Sequence, residues 1–206
     1  MESMRRILLA TLLALAAVTA HAQQKMFFTE YHVVSDKLPP GSPELQHRKL
    51  WLVGTKYLRF EDVPNPQTGV HGLIIVSEPD IWFIDRKTRS GKHNIDPGPT
   101  YAVHFPMFPN EDSPRIKQLE FGREREFFEG NGAKEGAKQT IDGVPCRVFT
   151  LQVDERDLTL YVRGDGKPLQ VSISDGDVTY GIRIVRHESN MDPDLSLFRP
   201  PADTTF

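Results

Sequence analysis

Cysteine is almost absent from this chain of 206 residues, in which Cys146 is the single example. One thiol excludes an intrachain disulfide and every metal site that is built on several thiolates. Cys146 follows Pro145 at the start of a predicted strand, and the sequence places no base beside it. We therefore interpret Cys146 as a small buried apolar residue, with a reactive or cross-linking thiol as the alternative.

An excess of positive charge is also lacking. Lys and Arg number 25 against 28 Asp and Glu, which leaves a formal net charge of −3 at pH 7. Binding to a phosphate backbone needs a basic surface, so we expect no nucleic-acid partner. Residues 86–92 do hold four positive charges. We interpret them as a solubilising turn, with peripheral contact to anionic lipid or to an acidic partner as the alternative.

Signatures of catalysis are missing as well. The chain contains no G-x-S-x-G, no H-E-x-x-H and no Gly-rich phosphate loop. His71, His93 and His104 lie near predicted loops, but no two of them have the spacing of a metal motif. The acidic run at residues 154–157 is expected to form a solvated hairpin turn rather than an acid/base pair. We predict that the protein is not an enzyme, has no catalytic residues and uses neither a metal nor a cofactor.

The longest apolar run, residues 7–18, is too short for a membrane-spanning helix, which needs about 20 residues. It follows Arg5 and Arg6 and precedes Ala20-His21-Ala22, a small-x-small site. This order predicts a cleavable secretion signal over residues 1–22, with a retained anchor as the alternative. No Cys follows the site, so we do not expect lipidation. We expect residues 23–206 to form one domain in the periplasm.

Alternation of apolar and polar residues predicts two groups of strands. The C-terminal group is the clearer one, since three strands form a meander with turns at residues 163–167 and 175–177. Other strands are predicted at residues 26–34, 46–53, 56–62, 71–77, 81–85 and 147–153, with a further strand opening at residue 93. Each strand of the meander has one apolar face, and a sheet of this kind must cover that face.

A different pattern separates the two groups. Five prolines lie between residues 96 and 114, and a segment with this composition cannot lie inside a sheet. Ser113 and Pro114 are typical first residues of a helix, Gly122 is a helix breaker, and residues 130–132 form a C-terminal cap. This order predicts an α+β fold with one large antiparallel sheet. We expect the Pro-rich and helical insertion to cover its apolar face.

Two sets of residues resemble a known family. The first is Leu50-Trp51, followed by Ile74-Ile75-Val76-Ser77 and Ile81-Trp82-Phe83, and the second is the meander followed by Leu197-Phe198-Arg199-Pro200-Pro201. They are similar to the LolA/LolB-like periplasmic lipoprotein carriers and outer-membrane lipoprotein receptors. The resemblance implies a general member of that superfamily, with a strongly curved open half-barrel and a helical lid over an apolar cavity. Because this chain has no predicted helix before its first strand, the insertion must supply the lid.

The resemblance further implies a lipid, an acyl chain or an acylated protein as the ligand, bound in the concave face of the sheet. An interaction or sensor module with a packed cavity, in which the Pro-rich segment docks an envelope protein, stays open as the alternative. We expect a monomer. The expected lining of the cavity consists of Trp51, Ile74, Trp82, Ile84, Phe105, Phe108, Leu151, Leu160, Val171 and Ile182.

Overall fold

A computed structural model describes residues 24–96, 98 and 102–206. Most of these residues are strands: β1 Met26–Ser35, β2 Arg48–Val53, β3 Tyr57–Pro64, β4 His71–Ser77, β5 Asp80–Asp85, β6 Ser90–Ile95, β7 Lys134–Glu135, β8 Gln139–Ile141, β9 Val144–Val153, β10 Arg156–Arg163, β11 Pro168–Asp175 and β12 Val178–Met191. Within this part of the chain, one α-helix, α1 Glu124–Gly130, and three short 3-10 helices complete the elements; the latter are Pro43–Leu45, Ile116–Gln118 and Leu195–Phe198. The predicted secretion signal lies outside the described residues.

All twelve strands belong to one antiparallel sheet. Its order is β6-β5-β4-β3-β2-β1-β12-β11-β10-β9-β7, and β8 also pairs with β9. The first and last long strands meet in the middle, where Tyr31 pairs with Ile184 and Val33 with Ile182. The sheet is open and carries one short helix. The predicted fold class, a large curved antiparallel sheet with a Pro-rich and helical insertion, is confirmed.

The sheet has a front face and a back face, which we define by cross-strand neighbours. On the front face, Leu50 pairs with Phe60 and Phe60 with Ile74. On the back face, Ile75 pairs with Trp82. Successive side chains of a strand point to opposite faces, so one register decides the face of every residue in the half-sheet.

The front face is covered by residues 102–133, which we call the cover segment. Its buried side chains pack against β1–β4 and β9–β12; they are Met107, Phe108, Ile116, Leu119, Phe121, Phe127 and Phe128. Helix α1 has only seven residues and is too short to be stable alone. Burial of two of these phenylalanines, Phe127 and Phe128, at about 1.5–3 kcal/mol each, supplies its stability instead.

The helical part of the cover segment is shorter than the sequence pattern predicts. Gly122 separates the 3-10 helix at Ile116–Gln118 from α1, and its φ of 83° lies in the left-handed region that favours glycine. A Cβ at this position would lie 3.0 Å from Cε2 of Phe27. The predicted break at Gly122 is therefore confirmed, because the backbone bends sharply there to pass over β1.

The back face of the N-terminal half carries a second core, which the sequence analysis did not predict. Met26, Val53, Leu73, Ile75 and Ile84 are buried there around Phe198 of the C-terminal segment. The ring of Phe198 lies 5.5 Å from that of Tyr57. This half of the sheet is therefore covered on both faces.

One guanidinium fastens the C-terminal segment to the sheet. Arg59 donates a hydrogen bond of 3.0 Å to the carbonyl oxygen of Leu197 and forms a 2.6 Å ion pair with Glu61. Farther along the chain, the N–H of Thr205 donates to the carbonyl oxygen of Arg89, and the N–H of Gly91 donates to the carbonyl oxygen of Thr205, both at 2.9 Å. Residues 195–206, which include Phe198-Arg199-Pro200-Pro201, thus cross the back of β3–β6, and we call them the C-terminal strap.

Candidate functional site

A cavity of about 790 Å³ lies between the front face of the sheet and the first part of the cover segment. Strands β1, β3 and β12 form its floor, and residues 105–112 form its roof. The roof cannot pair as a strand along its length because Pro106 and Pro109 lack a backbone N–H. The Pro-rich composition therefore holds this stretch away from the sheet and leaves the space between them.

Aromatic rings form much of the cavity wall. Phe60 of the floor lies 4.9 Å from Phe105 of the roof, and Phe108 of the roof lies 5.7 Å from Tyr180. Tyr31, whose phenol pKa is raised by burial, lies on the floor and stacks against Phe121 at 4.4 Å. Rings give large apolar contact areas at a small entropic cost, so this wall suits an apolar ligand.

The middle of the floor is made by two aliphatic residues and a glycine. Val33 and Ile182 are cross-strand partners on β1 and β12, and both line the cavity beside Gly181. A Cβ on Gly181 would lie 2.4 Å from the carbonyl oxygen of Val171. Glycine is therefore required here for β11 and β12 to approach each other.

A buried polar cluster closes one end of the cavity. The Glu111 side chain is only 3% exposed, forms an ion pair with Arg156 and accepts a hydrogen bond of 2.7 Å from Oη of Tyr180. The backbone N–H groups of Asp112 and Ser113 also donate to Oε1 of Glu111. Burial and the bond to Glu111 raise the pKa of Tyr180, so its phenol stays protonated. The cluster anchors the end of the roof to β10 and β12.

A second polar group lies where β2 begins and β3 ends. Nε of Arg48 donates to Oδ1 of Asp62 at 2.8 Å, and Nη1 of Arg48 donates to the carbonyl oxygen of Glu44 at 3.1 Å. These residues also line the cavity. The cavity is therefore apolar along its walls and charged at its margins.

Backbone contacts fix the other end of the roof. The N–H of Val103 donates to the carbonyl oxygen of Thr55 at 2.9 Å, and the N–H of Met107 donates to that of Leu119 at 2.8 Å. Nδ1 of His104 lies within hydrogen-bond distance, 2.6 Å, of Oε1 of Glu120 beside this link. The roof is thus attached at both ends, by backbone bonds at one end and by Glu111 at the other.

Three of the ten expected lining residues surround the cavity: Phe105, Phe108 and Ile182. Ile74, Leu151, Leu160 and Val171 lie on the same face, packed in the front core beneath or beside the cover segment. Trp51, Trp82 and Ile84 lie on the opposite face, in the second core. In β2, β4 and β5 both faces are apolar, so alternation does not show which one faces the cavity.

Sequence reasoning missed several residues of the cavity, above all Tyr31, Val33, Phe60 and Tyr180. A signal existed for Tyr180, which has the same strand parity as Ile182. For Glu111 and Arg156, which lie 45 residues apart, the sequence offers no such signal, because only the folded chain brings them together.

The thiol of Cys146 is buried, and burial raises its pKa. A protonated thiol is a poor nucleophile. In residues 24–96, 98 and 102–206, no three His, Cys, Asp or Glu side chains are grouped so as to hold a metal ion. Over the same residues, no helix combines the length and the apolar character needed to cross a membrane.

No family model and no curated protein matches the sequence. Solved structures do resemble the fold. An uncharacterized conserved protein from Thermus thermophilus has a TM-score of 0.48 and 10% identity over 95% of this chain and 96% of its own. LprF from Mycobacterium bovis has a TM-score of 0.43 and 10% identity over 83% and 89%.

A LolA superfamily protein from Nitrosomonas europaea has a TM-score of 0.32 and 10% identity over 85% of this chain and 90% of its own. These likenesses concern the fold alone.

Proposed function

We propose that this protein is a non-enzymatic binding protein of the cell envelope, which holds an acyl chain of a lipid or of an acylated protein in the cavity under the cover segment. The observation that carries the proposal is the cavity itself, a space of about 790 Å³ between an apolar sheet face and an aromatic roof. Its size falls within the range of about 300–1,000 Å³ typical of small-molecule sites.

The chemistry of the walls favours an acyl chain over a polar ligand. Val33, Ile182, Phe60 and Phe105 present carbon surface to the space. Each methylene moved from water into such surroundings contributes about 0.8 kcal/mol, so a chain of several methylenes is held by area alone. In the alternative function, side chains fill the cavity. Such packing is present over β9–β11, where Leu160 and Val171 are fully buried, but the space over β1 and β12 is not filled by side chains.

The envelope location rests on the sequence of residues 1–22, which has the order of a secretion signal. Under this proposal the mature chain, residues 23–206, acts as a monomer that takes up its ligand outside the cytoplasm. Fractionation of cells that express the full chain, with N-terminal sequencing of the product, tests this part of the proposal. A product that stays in the cytoplasm and still carries residues 1–22 would contradict it.

Ligand binding is tested with protein purified from the compartment in which it accumulates. Mass spectrometry of an organic extract should find a lipid in stoichiometric amount, and the delipidated protein should bind the dye N-phenylnaphthylamine with an increase in fluorescence. A protein that carries no lipid and binds no dye would overturn the proposal.

A pair of matched variants places the binding in this cavity. Val33→Trp puts an indole into the cavity from β1 and should reduce dye binding by at least about tenfold, because it fills the space that the ligand needs. Val185→Trp places the same indole on the exposed back face of β12, where Val185 is 44% exposed, and should leave binding unchanged. Equal binding by both variants would show that the dye binds elsewhere.

A further inference from the structure

The charged residues that line the cavity are unequal in sign. Among the described residues there are four carboxylates and two guanidiniums, and no lysine or histidine; they are Glu44, Asp62, Glu111, Asp112, Arg48 and Arg156. The margins of the cavity therefore carry a net charge of −2 near neutral pH. The apolar walls select for a chain, and these margins face whatever polar group the chain carries.

Both guanidiniums are already matched within the protein. Arg48 is 16% exposed and holds Asp62 at 2.8 Å. Arg156 is 20% exposed, holds Asp112 at 2.8 Å and Asp175 at 3.4 Å, and is also paired with Glu111. Neither cation is left to receive an anion from a ligand.

An anionic group at the end of a bound chain would have two ways to bind. It could displace Glu111 from Arg156, but Glu111 is only 3% exposed, and a buried carboxylate left without its partner is strongly unfavourable. It could also displace Asp62 from Arg48, but Asp62, which is 42% exposed, would then add an unpaired carboxylate to the same margin. Otherwise it would lie among the existing carboxylates without a partner, at a repulsive potential that the apolar walls strengthen.

An uncharged group or a cation meets neither obstacle. An amide or hydroxyl can donate to the exposed oxygens of Asp112, whose side chain is 83% exposed. An ammonium group gains attraction from the excess of carboxylates.

We infer that the ligand of this cavity has a polar end without negative charge, either an uncharged amide or ester or a protonated amine, and that the carboxylates at the margins exclude free fatty acids and other anionic lipids. This inference rests on the proposed function and specifies the class of its ligand. It assigns a selective role to two exposed carboxylates, that of Glu44 and that of Asp112, the latter paired with Arg156 at 2.8 Å.

Three probes with one chain and different ends test the inference: dodecanamide, dodecylamine and dodecanoate. At about pH 8 the amine is protonated and the acid is ionised. Each probe is titrated against the naphthylamine dye bound to the delipidated full protein. The amide and the amine should displace the dye at concentrations at least about tenfold lower than dodecanoate does.

A double variant then connects the selectivity with the margins. Glu44→Gln with Asp112→Asn removes the excess negative charge and the Arg156–Asp112 pair, but keeps the pairs of Arg48 with Asp62 and of Arg156 with Glu111 and Asp175. Dodecanoate should bind this variant several-fold more tightly, and dodecanamide should be unaffected. The control, Glu126→Gln with Asp157→Asn, removes two carboxylates that are exposed away from the cavity and should leave all three affinities unchanged.

The outcomes separate the two proposals. Binding of dodecanoate as tight as that of dodecanamide, with the dye still displaced, overturns the inference about charge and leaves the binding function standing. The same holds if the double variant behaves like its control. If no probe displaces the dye and no lipid is extracted, the proposed function fails, and the inference fails with it.

Discussion

Glu111 fastens the roof of the cavity to the sheet, and replacing it with glutamine measures how strongly it does so. Its carboxylate is 3% exposed and receives Arg156, Oη of Tyr180 and two backbone N–H groups. Glutamine has almost the same volume, so Glu111→Gln creates no cavity. What changes is the charge, together with one acceptor oxygen that becomes an NH₂ donor.

The expected loss of stability depends on the ion pairs that Arg156 keeps in the variant. Breaking a buried ion pair by removing one partner costs about 3–5 kcal/mol. Arg156 is 20% exposed and retains Asp112 and Asp175, so part of this penalty is avoided. We expect the free energy of unfolding to fall by about 2–3 kcal/mol, because the glutamine amide keeps only one acceptor oxygen for the four donors that the carboxylate receives.

Urea unfolding followed by tryptophan fluorescence checks this value. With a slope of about 2 kcal/mol per molar, the midpoint should fall by about 1–1.5 M while the slope stays the same. Glu155→Gln removes an exposed carboxylate next to Arg156 and should change stability by less than about 0.5 kcal/mol. A loss below that limit for Glu111→Gln would refute the conclusion that a buried charge holds the roof.

Three further predictions use the same assay. Burial raises the pKa of Glu124 to about 7, so the folded protein holds the proton of this carboxyl group more tightly than the unfolded chain does. The free energy of unfolding should therefore fall by up to about 3 kcal/mol as the pH rises from about 4.5 to 7. Glu124→Gln should remove this fall, and a pH profile unchanged by the substitution would contradict the raised pKa of Glu124. Phe198→Ala should cost about 3–5 kcal/mol because it empties the second core, and a cost similar to that of exposed Leu195→Ala would show that the strap does not pack. Gly181→Ala should cost at least about 1–3 kcal/mol, since its Cβ would contact the backbone of Val171; Gly164→Ala, which meets no atom within 4 Å, is the control.

Much of the fold was predictable because most of its strands have a clear local pattern of alternating apolar and polar residues. The meander has one polar and one apolar face, and its turns are rich in Gly and Asp, so its pairing follows from short-range patterns. Its last strand extends to Met191, beyond the alternating pattern that ends at Val185. Strand β6 was predicted only from residue 93, although it begins at Ser90. Its first residues are polar and exposed, and their partner includes the C-terminal strap, which no local pattern shows.

The candidate site was harder to predict, and Trp51 shows why. It stands between Leu50 and Leu52, so its strand is apolar on both faces, and the pattern cannot assign a direction to the indole. The register places it on the back face, where Arg59 lies over the ring at 5.9 Å. Trp82, stacked on His93 at 5.1 Å, follows the same logic. The alternating pattern therefore left open which face of the sheet carries these two indoles.

The sequence by itself determined the kind of the main elements: strands with a period of two residues, and a Pro-rich segment that cannot join them. Those properties depend on residues close together in the chain. Only the tertiary structure decided which face of β2, β4 and β5 meets the cover segment, and that Glu111, Arg156 and Tyr180 meet at the end of the cavity. Such contacts join residues far apart in the chain, and their energy depends on burial and pairing, which exist only after the sheet and its cover have come together.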